Sequence, residues 1–154
     1  MNKLLLTFIA ILVMISTSCV QNNSDEPANK QTTKIERSTD GLFVHISTNE
    51  ARKVLMGLSI ALKMKEDKDV IVFVDAEAIN AIIKGGDTYE MEGYEGSSAD
   101  MIQNLVSQGV AVMACPMCLK SYGKTKADLI GGIQMAQKEQ FFGFTEGRIL
   151  TLDY

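Results

Sequence analysis

An α/β fold built on a mainly parallel sheet is what this sequence predicts. Residues 70–74 (VIVFV) and 110–114 (VAVMA) are apolar without polar alternation, the pattern of strands buried on both faces. Between such runs lie stretches whose apolar residues recur every three or four positions, the period of an amphipathic helix. Alternation of the two implies parallel neighbours, because a parallel pair needs a long crossover and that crossover is usually a helix.

The folded part begins at residue 41, and residues 41–154 are enough for a core of two or three layers. Residues 42–46 (LFVHI) read as the first strand. Ser47 and Glu50 have the spacing of a capping box, and Ala51, Val54, Leu55, Leu58 and Leu62 carry a helix to about Met64. Residues 67–69 break the pattern, 70–74 form the second strand, and Asp75 ends it. A short helix is expected over 76–84, stopped by Gly85 and Gly86. Residues 87–96 (DTYEMEGYEG) form an acidic loop whose charge disfavours phosphate despite its glycines. Ser97 and Asp100 make a second capping-box pattern, opening a helix with Met101, Ile102, Leu105 and Val106 on one face. After Gly109 comes the third strand, and then a helix starting at Cys115-Pro116-Met117-Cys118, with Pro116 in its first turn and Gly123 at its stop. A weak strand at 133–135, a helix over 137–145 and a strand over 148–153 complete about five strands. Phe141, Phe142 and Phe144 are too crowded to share a helix face, so one is expected to point outward.

The N-terminal region reads differently. Residues 4–15 are apolar except for Thr7, and as a helix they would span only about 18 Å against the ~30 Å of a bilayer core. They suit the apolar part of a secretory signal peptide. Ser16-Thr17-Ser18-Cys19 resembles the lipobox of bacterial lipoproteins, which implies lipid on Cys19 and attachment to a membrane of the bacterial cell envelope. Residues 20–40 hold only Val20, Ala28 and Ile35 as apolar side chains, too few to offset the entropy of ordering them. The expected organisation is a signal peptide over 1–18, a lipidated cysteine and tether over 19–40, and a folded domain over 41–154.

Fifteen Lys and Arg against nineteen Asp and Glu leave a net charge of −4, which argues against nucleic acid as a partner. Three cysteines cannot close a disulfide framework. With Cys19 set apart, Cys115 and Cys118 remain. Open α/β sheets bind ligands beyond the carboxyl ends of their strands, and those ends carry Ser47, Thr48, Asp75 and Cys115. A thiol at a helix start faces unpaired N–H groups and the positive end of the dipole, which favour the thiolate, the nucleophilic form. Cys118 lies one turn on, where it could attack a modified Cys115 and resolve it. These two are the expected catalytic residues, with Asp75, His45 and Thr48 as possible support.

His45 is the single histidine; a core or sheet-edge place is its commoner reading and a general base or ligand the sharper one. Asp75 is either a cap for the helix after it or a polar contact near Cys115. No cofactor is expected, since structural zinc wants about four ligands. Met113, Cys115, Met117 and Cys118 are soft donors suited to Cu(I), so a non-catalytic module binding copper or a protein partner is one alternative. A structural disulfide is another. A thioredoxin-like enzyme fits less well, because the pair follows three strands and no proline comes after Pro116.

Residues 111–115 (AVMAC), then Leu119 and Gly123, then 128–133 (DLIGGI), resemble the DsrE/DsrF-like family, as does an opening strand followed directly by a helix over 50–64. The resemblance implies a three-layer α/β/α sandwich, assembled into homo-trimers or homo-hexamers. It also implies a cysteine at the position of Cys115 that carries a persulfide and passes sulfur to a thiol or persulfide partner protein. The expected function is therefore persulfide carriage or thiol–disulfide exchange at Cys115 and Cys118, as a sulfur transferase or a thiol–disulfide oxidoreductase-like protein.

Overall fold

In the computed structural model, which describes residues 39–154, five strands run parallel in one sheet. They are β1 (Gly41–Ile46), β2 (Asp69–Val74), β3 (Ala111–Ala114), β4 (Gln134–Met135) and β5 (Ile149–Asp153), in the order β4-β3-β2-β1-β5. The α-helices are α1 (Ala51–Met64), α2 (Ser98–Ser107) and α3 (Pro116–Ser121). The signal peptide, Cys19 and the tether through residue 38 lie outside the described residues. Among those described, no helix is long and apolar enough to cross a membrane.

The strand order decides where the layers go. From β1 to β4 the chain steps the same way across the sheet three times, and right-handed crossovers then place every connection on one face. Val54, Leu55 and Leu58 of α1, Met101, Ile102 and Leu105 of α2, and Leu119 of α3 join one core with Leu42, Val44, Val70, Val72 and Val112 of the sheet. Complete burial of each such aliphatic chain is worth about 1.5–3 kcal/mol. From β4 the chain returns to the far edge, the opposite direction, so residues 136–148 cross the other face. That face carries Phe43, His45 and Phe73, covered by Phe141, whose ring lies 5.7 Å from Phe43 and 5.1 Å from Phe73. The expected α/β sandwich is present, and its layer on this face is thin.

Helix ends follow local chemistry. Ser97 accepts the Asp100 N–H while the Asp100 carboxylate accepts the Ser97 N–H, the expected capping box of α2. Gly109 and Gly123, at φ 78° and 67°, end α2 and α3. In each case the glycine N–H and the one after it bond back to carbonyls of the last turn.

Four expectations need correction. Ser47 and Glu50 form no capping box: α1 starts with Glu50 as cap residue and no side-chain bond, while Ser47 donates to the Tyr154 carbonyl at 3.3 Å. Ser47 is still held to the sheet edge, so Thr48 takes up the Glu50 N–H instead, at 3.1 Å. The segment after β2 is a 3-10 helix over Ala76–Ile82 rather than a helix to residue 84, and Asp75 makes no side-chain cap to it. The helix expected over 137–145 is one 3-10 turn, Lys138–Phe141. The strands themselves start or stop within about a residue of their expected limits, save the weak one, which loses Ile133. Phe142 is the outward-pointing phenylalanine, 80% exposed.

At the opposite end of the sheet Arg148 donates to both carboxylate oxygens of Asp40, joining the start of β1 to the start of β5. These hydrogen bonds hold the Asp40 carboxyl down at about 2, from an ordinary value of 3.8. A carboxyl depressed on folding stabilises the native state above its unfolded value and ceases to as pH falls through its folded one. Thermal melts from pH 5 to pH 2 should therefore show Asp40→Asn losing less stability over the 3.8-to-2 window than the wild type, with the difference shrinking in high salt.

Candidate functional site at Cys115 and Cys118

Cys115 follows β3, and its N–H continues the sheet by bonding the Val74 carbonyl at 2.9 Å. It is also the cap residue of α3, with Pro116 in the first turn. The sequence makes this corner for plain reasons: a buried apolar run ends, proline supplies a helical φ without needing a donor, and the sulfur replaces the usual capping oxygen. The Cys118 N–H points at Cys115 Sγ from 3.4 Å. Cys115 is 9% exposed and Cys118 more open, and both are free thiols.

Burial pushes the Cys118 thiol up from its ordinary value, and its hydrogen bond to Cys115 and the charges at Cys115 and Asp75 push the same way. The backbone N–H of Ala76 pulls the other way. Ala76 is the one non-glycine described residue in the left-handed region, at φ 42°. Alanine there costs on the order of 1 kcal/mol.

His45 sits between two carboxylates. Its Nδ1 is 2.8 Å from Asp153 Oδ1, in the partner register of β5, and its Nε2 is 3.0 Å from Asp75 Oδ1 at the end of β2. The first contact is a hydrogen bond; the second has the distance but not the alignment, and Nε2 and Oδ1 are buried without a hydrogen-bond partner. The Phe73 ring stacks on the imidazole at 5.4 Å.

The structure thus gathers Cys115, Cys118, Asp75 and His45 along the carboxyl ends of β1, β2 and β3. Thr48 stands apart from them in its bonding, spent on the start of α1. Sequence reasoning missed Asp153 and Ala76. An aspartate ending a strand beside the histidine strand could have signalled the first, had the strand order been known. Met113 is fully buried, so of the soft donors only Met117, 80% exposed, stands open beside the cysteines. Among the described residues no group of three or more His, Cys, Asp or Glu is placed to hold a metal ion. A cavity of about 650 Å³ lies elsewhere, between α1 and α2 against the 87–96 loop, lined by Leu62, Lys63, Tyr94, Met101 and Asn104 among others. Neither cysteine lines that cavity; they lie at the rim formed by the carboxyl ends of the strands.

Comparison with solved structures gives the YchN protein of E. coli, 19% identical with a TM-score of 0.57, over 74% of this chain and 99% of that one. A protein of unknown function from Methanobacterium thermoautotrophicum, MTH1491, is 18% identical with a TM-score of 0.53, over 73% of this chain and 98% of that one. At these identities the likeness speaks for the fold alone. No curated protein matches. The DsrE/DsrF-like family matches residues 41–146, nearly all of the described domain, and the chain belongs to that family.

Proposed function

We propose that this chain is an exported member of the family, held to the bacterial cell envelope by lipid on Cys19, whose Cys115 carries sulfur or exchanges disulfides and whose Cys118 resolves it. The observation that carries the reading is the Cys118 N–H bonded to Cys115 Sγ at a strand-to-helix corner. Family membership supports a sulfur-relay type of role. A persulfide on Cys115 can lose its outer sulfur to a partner thiolate, which becomes the persulfide while Cys115 leaves as thiolate. Alternatively Cys118 attacks Cys115 Sγ, expels hydrogen sulfide and leaves a Cys115–Cys118 disulfide for a partner dithiol to reduce. The partner is a thiol or persulfide protein, and the working form is a homo-oligomer of three or six chains.

Alkylation of the full-length protein with iodoacetamide from pH 5 to pH 9, read by peptide mapping, tests this. Cys115 should react roughly tenfold faster than free cysteine near neutral pH. Cys118 should react more slowly than free cysteine, because burial and Asp75 hold it as the thiol. A Cys115 no faster than free cysteine overturns the reading. Intact mass of the native protein should show lipid on the N-terminal Cys19; an unlipidated mature chain overturns the anchor.

A further inference from the structure

Resolution requires Cys118 to lose a proton as its sulfur attacks, and the structure offers a place for that proton. Asp75 follows β2 and bonds the Ile46 carbonyl through its N–H at 3.1 Å, which fixes it beside the end of β1. Cys115 bonds the carbonyl of Val74, the residue before Asp75, through its own N–H at 2.9 Å, and the Cys118 N–H lies 3.4 Å from Cys115 Sγ, so Asp75 and the two cysteines leave neighbouring strand ends together. A neutral imidazole has a single N–H. With that hydrogen on Nδ1, given to Asp153, the His45 Nε2 lone pair faces Asp75 Oδ1 across 3.0 Å. In that tautomer two acceptors are opposed, and neither atom has a hydrogen-bond partner. An arriving proton held between them relieves that contact.

We infer that Asp75 and His45 together form the proton-accepting site for Cys118, with Asp153 positioning the imidazole. The inference rests on the proposed cysteine chemistry and adds the residues that run its second step. In that step Cys118–SH attacks Cys115 of a Cys115–S–S–R species. The Cys115–Cys118 bond forms, the Cys115–S–R bond breaks, and the Cys118 proton passes to the Asp75–His45 pair and on to the leaving thiolate as RSH. No outside oxidant or reductant enters. The groups facing the pair are Cys118 from α3, Asp153 from β5 and the Phe73 ring from β2.

The test uses the full-length protein and 5,5′-dithiobis(2-nitrobenzoate), with stopped-flow absorbance and peptide mapping to assign the phases. A first release of nitrothiobenzoate reports attack by Cys115, and a second reports resolution by Cys118. Asp75→Asn should slow the second phase at least tenfold at pH 7 and leave the first within about twofold, and Asp75→Glu should recover most of the loss. His45→Gln should slow the second phase less and shift its pH profile, which a purely structural residue would not do. If Asp75 acts only as a negative charge beside Cys118, Asp75→Asn speeds the second phase, and that result overturns the inference. An unchanged second phase with Cys115 still reacting also overturns it and leaves the proposed function standing. Failure of wild-type Cys115 to form the mixed disulfide overturns both. Circular dichroism and melting of each variant show that a slowed phase is not an unfolded protein.

Discussion

Cys115→Ser should abolish persulfide loading, while Cys118→Ser should load and then stall. The nucleophile is the sulfur itself, so its loss is expected to cost on the order of 10³-fold or more in the rate of sulfur uptake. Fold stability should hardly change. Cys115 accepts the Cys118 N–H as a cap, and serine is among the best capping residues, so the helix start survives the exchange. In Cys118→Ser the first attack proceeds, but nothing nearby displaces the bound group, so Cys115 should accumulate as persulfide or mixed disulfide until an outside thiol removes it. Intact mass spectrometry after treatment with inorganic polysulfide reads all three outcomes. Wild type should pass through the +32 Da adduct expected of one added sulfur on the order of tenfold faster than Cys118→Ser, in line with a lost intramolecular attack. Cys115→Ser that still gains sulfur, on Cys118, would reverse the assigned roles.

β1, β2 and β3 announced themselves because a strand buried on both faces needs no partner to be recognised: its composition is the signal. The capping box at Ser97 and Asp100 formed where the spacing said it would, whereas the similar spacing at Ser47 and Glu50 did not. The difference is tertiary. Ser47 is bonded to Tyr154, a residue 107 positions away, and cannot turn into a helix while it still extends the sheet. The corner at Cys115 was readable because strand end, proline and helix start are local. His45 with Asp153 was not, since its bond spans 108 positions and exists only because β5 crosses back to pair with β1. The close approach of His45 Nε2 to Asp75 Oδ1 lies one step further from the sequence, for it depends on the register of β2 against β1.

Leu55→Ala should be among the most damaging simple truncations in the domain, lowering the unfolding free energy by about 2–5 kcal/mol, while Met117→Ala should stay within about 0.5 kcal/mol. The two side chains are similar in size and apolarity, so composition does not separate them; position does. Leu55 is fully buried where α1 meets the sheet, and its removal leaves a hole that a helix packed against β-strands cannot close by small shifts. Met117 is 80% exposed and displaces little water from anything. Urea unfolding of the two variants measures both values on one scale, and against a typical total of roughly 5–15 kcal/mol the first loss is large. Equal losses would mean that Met117 packs into the fold, and the cysteine rim would then be closed rather than open. Unequal losses leave an exposed thioether between two thiols with no part in folding. The stability of the domain then rests on the helix-covered face of the sheet, and its sulfur chemistry on a corner that can change without unfolding it.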